Sequence, residues 1–415
     1  MRSRKWLSGM LAAVILWGQG ETLVLADEQK QRLEYRRAEL VNRLERAARF
    51  ILQQQNVDGA MDESGFINTD SNMLYALMGL IAAYDRTKRT NYLAAAERGC
   101  RWLMKVQTPE GDWYLSYQKK GDMYLPALPE SYREFAAIRG VDTTMALFIH
   151  VANEISKRTG DHALREQLRE SSKRAYQFLL TYNLDPVDGL FWSSYQLKGE
   201  QTAWTLSDFQ PYRVKYAADN AETYIGLLAA AEMFGDKEAK LRAERLKKQF
   251  IRFYDKKERL YAVMLDASGK TEMRPAYARW FANGWSAYLL REPSLFTLSR
   301  AVMAEKMNDD GRFRQWEGTY TLSTLCFLLA EQVYRVGSTK IRQAEAYLYS
   351  MQQPNGGLAD EAMHTSTYVN LAGLYLLYLA KELEQQLSYG KYFRLQRLFN
   401  TCYDPFCRFE SSGNI

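Results

Sequence analysis

A turn sequence recurs six times along this chain, and this repetition constrains the fold more than any other feature of the sequence. The clearest copy is Gln107-Thr-Pro-Glu-Gly-Asp-Trp113. The copies are built from Pro, Asn, Asp and Gly, the residues that end helices and form turns. The fourth copy has no glycine and is the weakest. The six copies lie at 55–59, 107–113, 185–191, 255–261, 308–313 and 352–358.

Two kinds of helix alternate around these turns. Before each turn the sequence predicts an amphipathic helix with one wet side, as in the helical spacing of Leu93, Ala96 and Cys100. After each turn and a connection comes a segment that is apolar around most of its circumference, which predicts a helix buried on most sides. These segments lie at 70–84, 142–155, 219–234, 283–290, 320–336 and 366–380. The alternation predicts an all-α fold: an (α/α)6 toroid of six helical hairpins in two concentric rings, one domain spanning residues 27–415.

The first 26 residues have the pattern of a secretory signal peptide. A basic start is followed by an apolar run from Trp6 to Trp17, and Val24-Leu-Ala26 resembles a cleavage site. Cleavage lowers the formal net charge from +6 to +4, which is too small to indicate a nucleic-acid partner. No later apolar run reaches the roughly 20 residues of a membrane span. We therefore expect a secreted or periplasmic protein with no membrane span after signal cleavage; the oligomeric state stays open.

Histidine and cysteine are scarce, which limits the kinds of metal site and catalytic residue that the chain can have. The chain has three histidines and four cysteines, and none of them shows metal-type spacing, so neither a metal nor a cofactor is predicted. Cys100 and Cys326 lie in amphipathic patterns and are predicted to be buried core thiols. Cys402 and Cys407 are compatible with a local disulfide in an exported chain, although the sequence leaves their pairing open. Catalysis would therefore rest on carboxylates, tyrosines and arginines.

Acidic residues stand at the starts of several buried segments. Helix capping explains any one of them, because Asp is favoured at helix N-termini. Together, however, such residues would point at one central cavity of a toroid, and glycoside hydrolysis needs two carboxyls, an acid and a base or nucleophile. An acid at a helix N-terminus tends to stay ionised, which predicts Asp142 or Asp219 as the base and Glu222, Asp70 or Glu317 as the acid. The candidate catalytic residues are Asp70, Asp142, Asp219, Glu222 and Glu317.

The connections after the second, third and fourth turns are long, and they are rich in aromatic and basic residues. Long structured connections in a compact domain usually carry function. Aromatic rings at the rim of a cavity suit the flat faces of sugars, although packing of the connections explains each ring equally well. Arg139, Lys215 and other basic residues there would suit an acidic glycan, or be ordinary loop charges. The candidate substrate-binding residues are Trp113, Tyr117, Trp192, Tyr216, Trp280, Trp285 and Trp316.

The alternation and the Gln107–Trp113 turn resemble the six-hairpin glycosidase superfamily. Within it, Val141-Asp-Thr-Thr-Met-Ala-Leu147 and Arg158-Thr-Gly-Asp161 resemble the D-T-x-M and T-G-D pattern of unsaturated uronyl hydrolases and their relatives. The resemblance implies a toroid acting on carbohydrate. It also implies that Asp142 is catalytic.

Three functions are compatible with the sequence. The leading one is an exported glycoside hydrolase that cleaves a polysaccharide or oligosaccharide with paired carboxylates. The second is a polysaccharide lyase, in which Tyr and Arg would replace the paired acids in a β-elimination. The third is a non-catalytic glycan-binding protein of an export or envelope system.

Overall fold

The computed structural model describes residues 31–62, 65–127, 137–197, 206–275, 278–313, 320–334, 339–360 and 368–402. These residues divide into two compact units. One unit contains residues 44–380; the other combines the chain ends up to Arg43 and from Lys381 onward. Within the unit of the chain ends, Arg36 pairs with Glu382 at 3.7 Å. The predicted signal peptide lies outside the described residues.

Helices dominate both units. Three π-helical segments adjoin them: Thr69–Tyr75 leads into α2, Leu179–Asn183 follows α5, and Phe281–Trp285 joins α8 to α9. The helices are α1 31–54, α2 Ala76–Thr87, α3 Thr90–Val106, α4 Asp142–Ser156, α5 His162–Phe178, α6 Ala217–Phe234, α7 Lys237–Gln249, α8 Ala278–Trp280, α9 Ser286–Leu290, α10 Pro293–Lys306, α11 Tyr320–Tyr334, α12 Thr339–Ser350 and α13 Val369–Cys402.

The even-numbered helices α2, α4 and α6, then the α8–α9 segment, α11 and the start of α13, form the inner ring. They are buried on most sides, as their apolar composition predicts. The outer helices bury one face: in α3 this face includes Leu93, Ala96, Cys100 and Leu103. The inner helices observed here match the six segments predicted from sequence. The prediction of an all-α (α/α)6 toroid is therefore confirmed, and Cys100 and Cys326 are buried free thiols as predicted.

The ring within residues 44–380 closes where its last hairpin meets its first. A Cβ added at Gly373 in α13 would lie 2.4 Å from the carbonyl oxygen of Tyr75, and one added at Gly79 would lie 2.5 Å from the carbonyl oxygen of Gly373. The first and last inner helices therefore touch through their backbones. On the outer side, the sixth turn approaches α1, because a Cβ at Gly356 would lie 2.1 Å from the Arg46 carbonyl oxygen.

The fourth turn has the same backbone conformation as the others although it lacks a glycine. In five of the six turns a glycine with positive φ follows the helix. Arg259 takes the equivalent position in the fourth turn, with φ of 57°. The strand pair Tyr254–Asp255 and Leu260–Tyr261 then closes this turn. The turn glycines are Gly59, Gly111, Gly189, Gly311 and Gly356.

Short antiparallel strands fill the long connections. Three sheets each join one connection to the next, in the orders β1-β2-β3, β4-β5-β6 and β7-β10-β11, and β8 pairs with β9 in the fourth turn. The strands are β1 Ile67–Asn68, β2 Ser116–Lys120, β3 Met123–Pro126, β4 Ala137–Arg139, β5 Ser194–Leu197, β6 Gln210–Tyr212, β7 Lys215–Tyr216, β8 Tyr254–Asp255, β9 Leu260–Tyr261, β10 Met264–Leu265 and β11 Thr271–Glu272. Among the described residues, no helix has the length and apolar character to span a membrane.

Candidate active site

The three sheets hold the starts of three inner helices in the same way. In each hairpin the backbone N–H at the start of the inner helix donates to a carbonyl of the following connection. Thr69 donates to Leu115 at 3.0 Å, Asp142 to Ser193 at 2.9 Å and Ala217 to Val263 at 2.9 Å. Because Asp70, Asp142 and Asp219 lie at or within two residues of these donors, the repeat places three carboxyls near the starts of three neighbouring inner helices.

The carboxyls of these helices form one cluster, since each of them affects the ionisation of another. Asp219 is influenced by Asp70 and Asp142, and Glu222 by Asp219 and Asp70. Asp70 and Asp219 are part-exposed, whereas Asp142 and Glu222 are 0% and 1% exposed. We call these four residues the acid cluster. Asp70 and Asp219 are its part-exposed members, and Asp142 and Glu222 are its buried members.

Asp142 lies at the start of α4, where burial favours its protonated form. The N–H of Thr143 donates to its Oδ1 at 3.0 Å, and no donor among the described residues reaches Oδ2. Burial raises the pKa of Asp142 well above its ordinary value, and the neighbouring Asp219 carboxylate raises it further. The expected stabilisation of the ionised form by the helix N-terminus is therefore outweighed, which reverses the expectation that Asp142 is an ionised base.

Asp219 lies in the first turn of α6 and titrates in the neutral range. Burial, and then the charge of Asp70, raise the pKa of Asp219 to about 7, although a hydrogen bond with Asp142 opposes the increase. A protonated Asp142 can make that bond by donating to the Asp219 carboxylate. The protonation of each of these two residues therefore depends on that of the other.

Glu222 lies one turn after Asp219 and accepts hydrogen bonds from three other inner-ring segments. Trp285 Nε1 donates to it at 2.7 Å, and the hydroxyls of Tyr75 and Thr143 also donate to it. Burial, followed by the charge of Asp219, raises the pKa of Glu222 well above its ordinary value. This carboxyl is therefore enclosed by protein, and the structure gives a substrate no open edge to reach it.

Tyr75 and Thr143 were not among the residues predicted from sequence. Tyr75 ends the π-helical segment that carries Asp70, and burial, followed by the charge of Glu222, raises the pKa of its hydroxyl. Thr143 directly follows Asp142 in the D-T-T-M motif, and that position was the one sequence signal available for it.

Asp161 of the T-G-D motif is an N-cap: its side chain accepts a hydrogen bond from the Leu164 N–H at 3.0 Å.

The predicted aromatic residues separate into core and site positions. Trp113, Tyr117 and Trp280 are 1%, 3% and 1% exposed. Trp113 and Tyr117 donate to the carbonyls of Leu103 and Val106 at the end of α3, so they fasten a connection to the outer ring. The structure therefore leaves these three residues no face for a sugar, because the hydrophobic effect places such large rings in the core.

Three other aromatic residues lie near the acid cluster. Trp285 is 0% exposed and bonds to Glu222, so it is a core residue with no face for a sugar. Trp192 and Tyr216 are part-exposed. Trp192 directly precedes Ser193, whose carbonyl anchors Asp142, and the Lys215 ammonium lies 4.0 Å from its ring centroid. Glu317 and Trp316 lie outside the described residues.

Two of the basic residues suggested for an acidic glycan instead form ion pairs with carboxylates of the protein. Arg139 is 1% exposed; its Nε donates to Asp112 at 2.7 Å and its Nη2 contacts Glu110 at 3.0 Å. Lys215 donates to Asp185 and Asp188 at 2.6 and 2.7 Å. Each cation joins a turn to the strand that leads into an acid-bearing helix, so its role in the structure is to fix that strand.

The acid cluster can hold, give up and accept protons near neutral pH, which is the requirement of general acid–base catalysis. Within the described parts of the chain, no group of three or more His, Cys, Asp and Glu side chains has the geometry of a metal site.

The chain is similar to known proteins in part of its sequence and in its fold. Residues 41–232, slightly less than half of the chain, match the family model described as pectic acid lyase. This span includes the whole acid cluster. No curated protein matches the sequence of the chain.

Solved structures with similar folds cover most of the chain at low identity. They include a cellobiose 2-epimerase from Spirochaeta thermophila (TM-score 0.63, 11% identity, 86% of this chain and 98% of that chain). A D-mannose isomerase has a TM-score of 0.61 and 12% identity, with 84% and 98% covered. The α-1,6-mannanase GH76A from Salegentibacter sp. HEL1_6 has a TM-score of 0.52 and 14% identity, with 83% and 99% covered. The chain thus has the (α/α)6 toroid fold of these carbohydrate-active enzymes.

Proposed function

We propose that this chain is a glycoside hydrolase that cleaves a polysaccharide or oligosaccharide by acid–base catalysis in the acid cluster. The observation that carries this proposal is a pair of part-exposed carboxyls, Asp70 and Asp219, on neighbouring inner helices, one of which is protonated near neutral pH. Glycosidases need such a pair: an acid of raised pKa that protonates the leaving oxygen, and an ionised carboxylate that activates water or attacks the sugar.

The different environments of the carboxyls suggest their roles. Asp219, whose pKa is raised to about 7, is the proposed acid, and Asp70 the proposed base or nucleophile. Asp142 is 0% exposed, so a substrate has no access to it as the opposing carboxylate. Its proposed role is to hold a proton beside Asp219. Trp192 and Tyr216, at the part-exposed edge of the cluster, are the proposed sugar contacts.

Structural neighbours support carbohydrate as the substrate class. Those named above are described as acting on cellobiose, mannose or α-1,6-mannan, and one mannanase structure is an inactive variant in which two adjacent aspartates are replaced by asparagine, in complex with α-1,6-mannotriose. In this chain the aspartates lie instead on separate inner helices. The signal-type N-terminus supports a secreted or periplasmic location, which would bring the enzyme to extracellular or periplasmic glycans.

The proposal is tested by incubating the chain with a panel of neutral and acidic polysaccharides while reducing ends and ultraviolet absorbance are followed together. Reducing ends without new absorbance are expected. Asp219→Asn and Asp70→Asn should each lower turnover by about 10³-fold, since each removes one proton-transfer group. Glu166→Gln, which removes an exposed carboxylate on outer helix α5, is the matched control. Absence of new reducing ends across the panel would contradict the proposal.

A polysaccharide lyase is the second candidate, favoured by the match of residues 41–232 to the pectic acid lyase model. A lyase would leave an unsaturated uronate, so absorbance and reducing ends would rise together. Two features of the described residues count against it. Tyr75 is buried and donates its hydroxyl to Glu222, and its raised pKa disfavours the phenolate that would act as the base; Arg139 and Lys215 are already paired with carboxylates. An acidic substrate would also meet the negative charge of the acid cluster.

A further inference from the structure

Glu222 contacts every helix that carries a member of the acid cluster. Tyr75, one of its donors, ends the π-helical segment that begins with Thr69 and Asp70. Thr143, another donor, directly follows Asp142 in α4. Glu222 itself lies one helical turn after Asp219 in α6. One carboxyl thus joins the three acid-bearing segments at a single buried point.

The third donor to Glu222 comes from a segment with no acid. Trp285 lies in the π-helical segment Phe281–Trp285 of the fourth hairpin and is stacked between Phe281 and Tyr288. The hydrogen bond from the Trp285 N–H to Glu222 is as buried as the other two, but the Phe281–Trp285 segment carries no catalytic candidate. The structure therefore contains three comparable bonds to one carboxyl, two of which connect to catalytic candidates.

A carboxyl enclosed in this way lowers the stability of the folded chain unless its hydrogen bonds compensate for the lost hydration. Burying an acidic group without a cation carries a desolvation penalty, which its hydrogen bonds only partly offset. The groups that face Glu222 are Tyr75 from the first hairpin, Asp142 from the second, Asp219 on its own helix and the more distant Asp70. On the side of the fourth hairpin the described contact is the neutral Trp285 indole.

We propose that Glu222 is a positioning residue that joins the starting turns of three inner helices and thereby fixes Asp70, Asp142 and Asp219 relative to one another. The proposal rests on the proposed function of that cluster for its catalytic meaning. Glu222 does not contact substrate in this arrangement. It acts through Tyr75 and Thr143, because these two side chains transmit its position to the segments that carry Asp70 and Asp142.

Single removals of its three donors test this assignment. Tyr75→Phe and Thr143→Val each cut a link to an acid-bearing segment, whereas Trp285→Phe removes a bond of the same kind to the same carboxyl and is the matched control. Thr143→Ser keeps the hydroxyl and should restore wild-type behaviour. The readouts are the titration midpoint of Asp219, followed by carboxyl NMR of the chain labelled with ¹³C-aspartate, and the separate values of kcat and KM.

We expect Tyr75→Phe to lower the Asp219 midpoint by about one pH unit, because the Asp70 charge that raises it moves away, and Thr143→Val to raise it by a similar amount, because the hydrogen bond with Asp142 that lowers it is weakened. We expect kcat to fall about 10-fold with KM unchanged, and Trp285→Phe to stay within about 2-fold of the wild type. The assignment is overturned if the midpoint is unchanged in both variants, or if Trp285→Phe shifts it equally. A wild-type chain that cleaves no glycan would defeat the proposed function alone, because the titration still reports on Glu222.

Discussion

At the residue scale, the acid cluster shows how burial can reverse a rule that holds at a helix surface. Asp142 and Asp219 both begin inner helices, where the helix dipole favours the ionised form. Their carboxyls are nevertheless surrounded by protein and by each other, and the pKa of each is raised. The sequence located these residues correctly at helix starts, but it contains no information on the distance between them, which decides their protonation.

The raised pKa of Asp219 predicts a dependence of stability on pH. In the unfolded chain Asp loses its proton near pH 3.9, whereas in the folded chain Asp219 keeps it until about pH 7. The folded state therefore binds more protons between these values, and its stability falls as the pH rises from about 4 to about 7. Asp219→Asn removes this pH-dependent loss of stability, because asparagine does not titrate. Urea unfolding should show that the variant gains on the wild type progressively across this range.

Glu166→Gln is the control for that series, because Glu166 is exposed on an outer helix. Its difference from the wild type should stay small over the whole pH range. An Asp219→Asn variant whose difference from the wild type does not change with pH would show that Asp219 has an ordinary pKa in the folded chain.

At the scale of elements, the connections contain more order than their sequence suggests. The strands that lead into Asp70, Asp142 and Asp219 are two or three residues long, too short for an alternating pattern to be visible. The sequence predicted that long connections carry function, but not that three of them pair successively as sheets. The same limit explains why Trp113 and Tyr117 were assigned to sugar binding: only their bonds to α3 show that they are core residues.

The fourth turn provides a test at this scale. Arg259 has a positive φ, a conformation that costs an L-residue about 1 kcal/mol and a glycine almost nothing. Arg259→Gly should therefore raise the free energy of unfolding by about 0.5–1 kcal/mol, although the more flexible unfolded chain offsets part of the gain. Gly189→Ala, the reverse change at the equivalent position of the third turn, should lower it. Equal effects of the two substitutions in urea unfolding would contradict this account of the turns.

At the scale of the whole molecule, the sixfold repeat was sufficient to predict the toroid. Alternating buried and half-exposed helices have few other ways to cover their apolar surfaces. The repeat also explains why the starts of neighbouring inner helices converge. It does not show where the repeat is broken. Asn283 bonds to the turn of the fourth hairpin as Asn220 bonds to the turn of the third. The residue before Asn283 is Ala282, whereas the residue before Asn220 is Asp219, so the fourth hairpin has no carboxyl at this position.

Closure of the ring depends on the backbone contact between the first and last inner helices. Gly373→Ala would place a methyl group against the Tyr75 carbonyl and should lower the free energy of unfolding by about 1–3 kcal/mol. Gly160→Ala, where a Cβ would meet nothing within 4 Å, is the matched control and should change stability by less than about 0.5 kcal/mol. Chemical unfolding of both variants measures this difference. Equal free energies of unfolding would mean that the two helices can separate without loss of stability.

The central claim is that the carboxyls at the starts of α4 and α6 have raised pKa values, so that Asp219 titrates near neutral pH. The measurement that tests it most directly is the ¹³C-carboxyl NMR titration of the aspartate-labelled wild-type chain, with Asp142→Asn and Asp219→Asn used to assign the two signals. We predict that Asp219 titrates near pH 7, that the pKa of Asp142 lies well above the ordinary value of an aspartate, and that Asp142→Ala raises the Asp219 midpoint, because it removes a hydrogen bond that lowers it. Midpoints near pH 4 for both residues in the wild type would contradict the account.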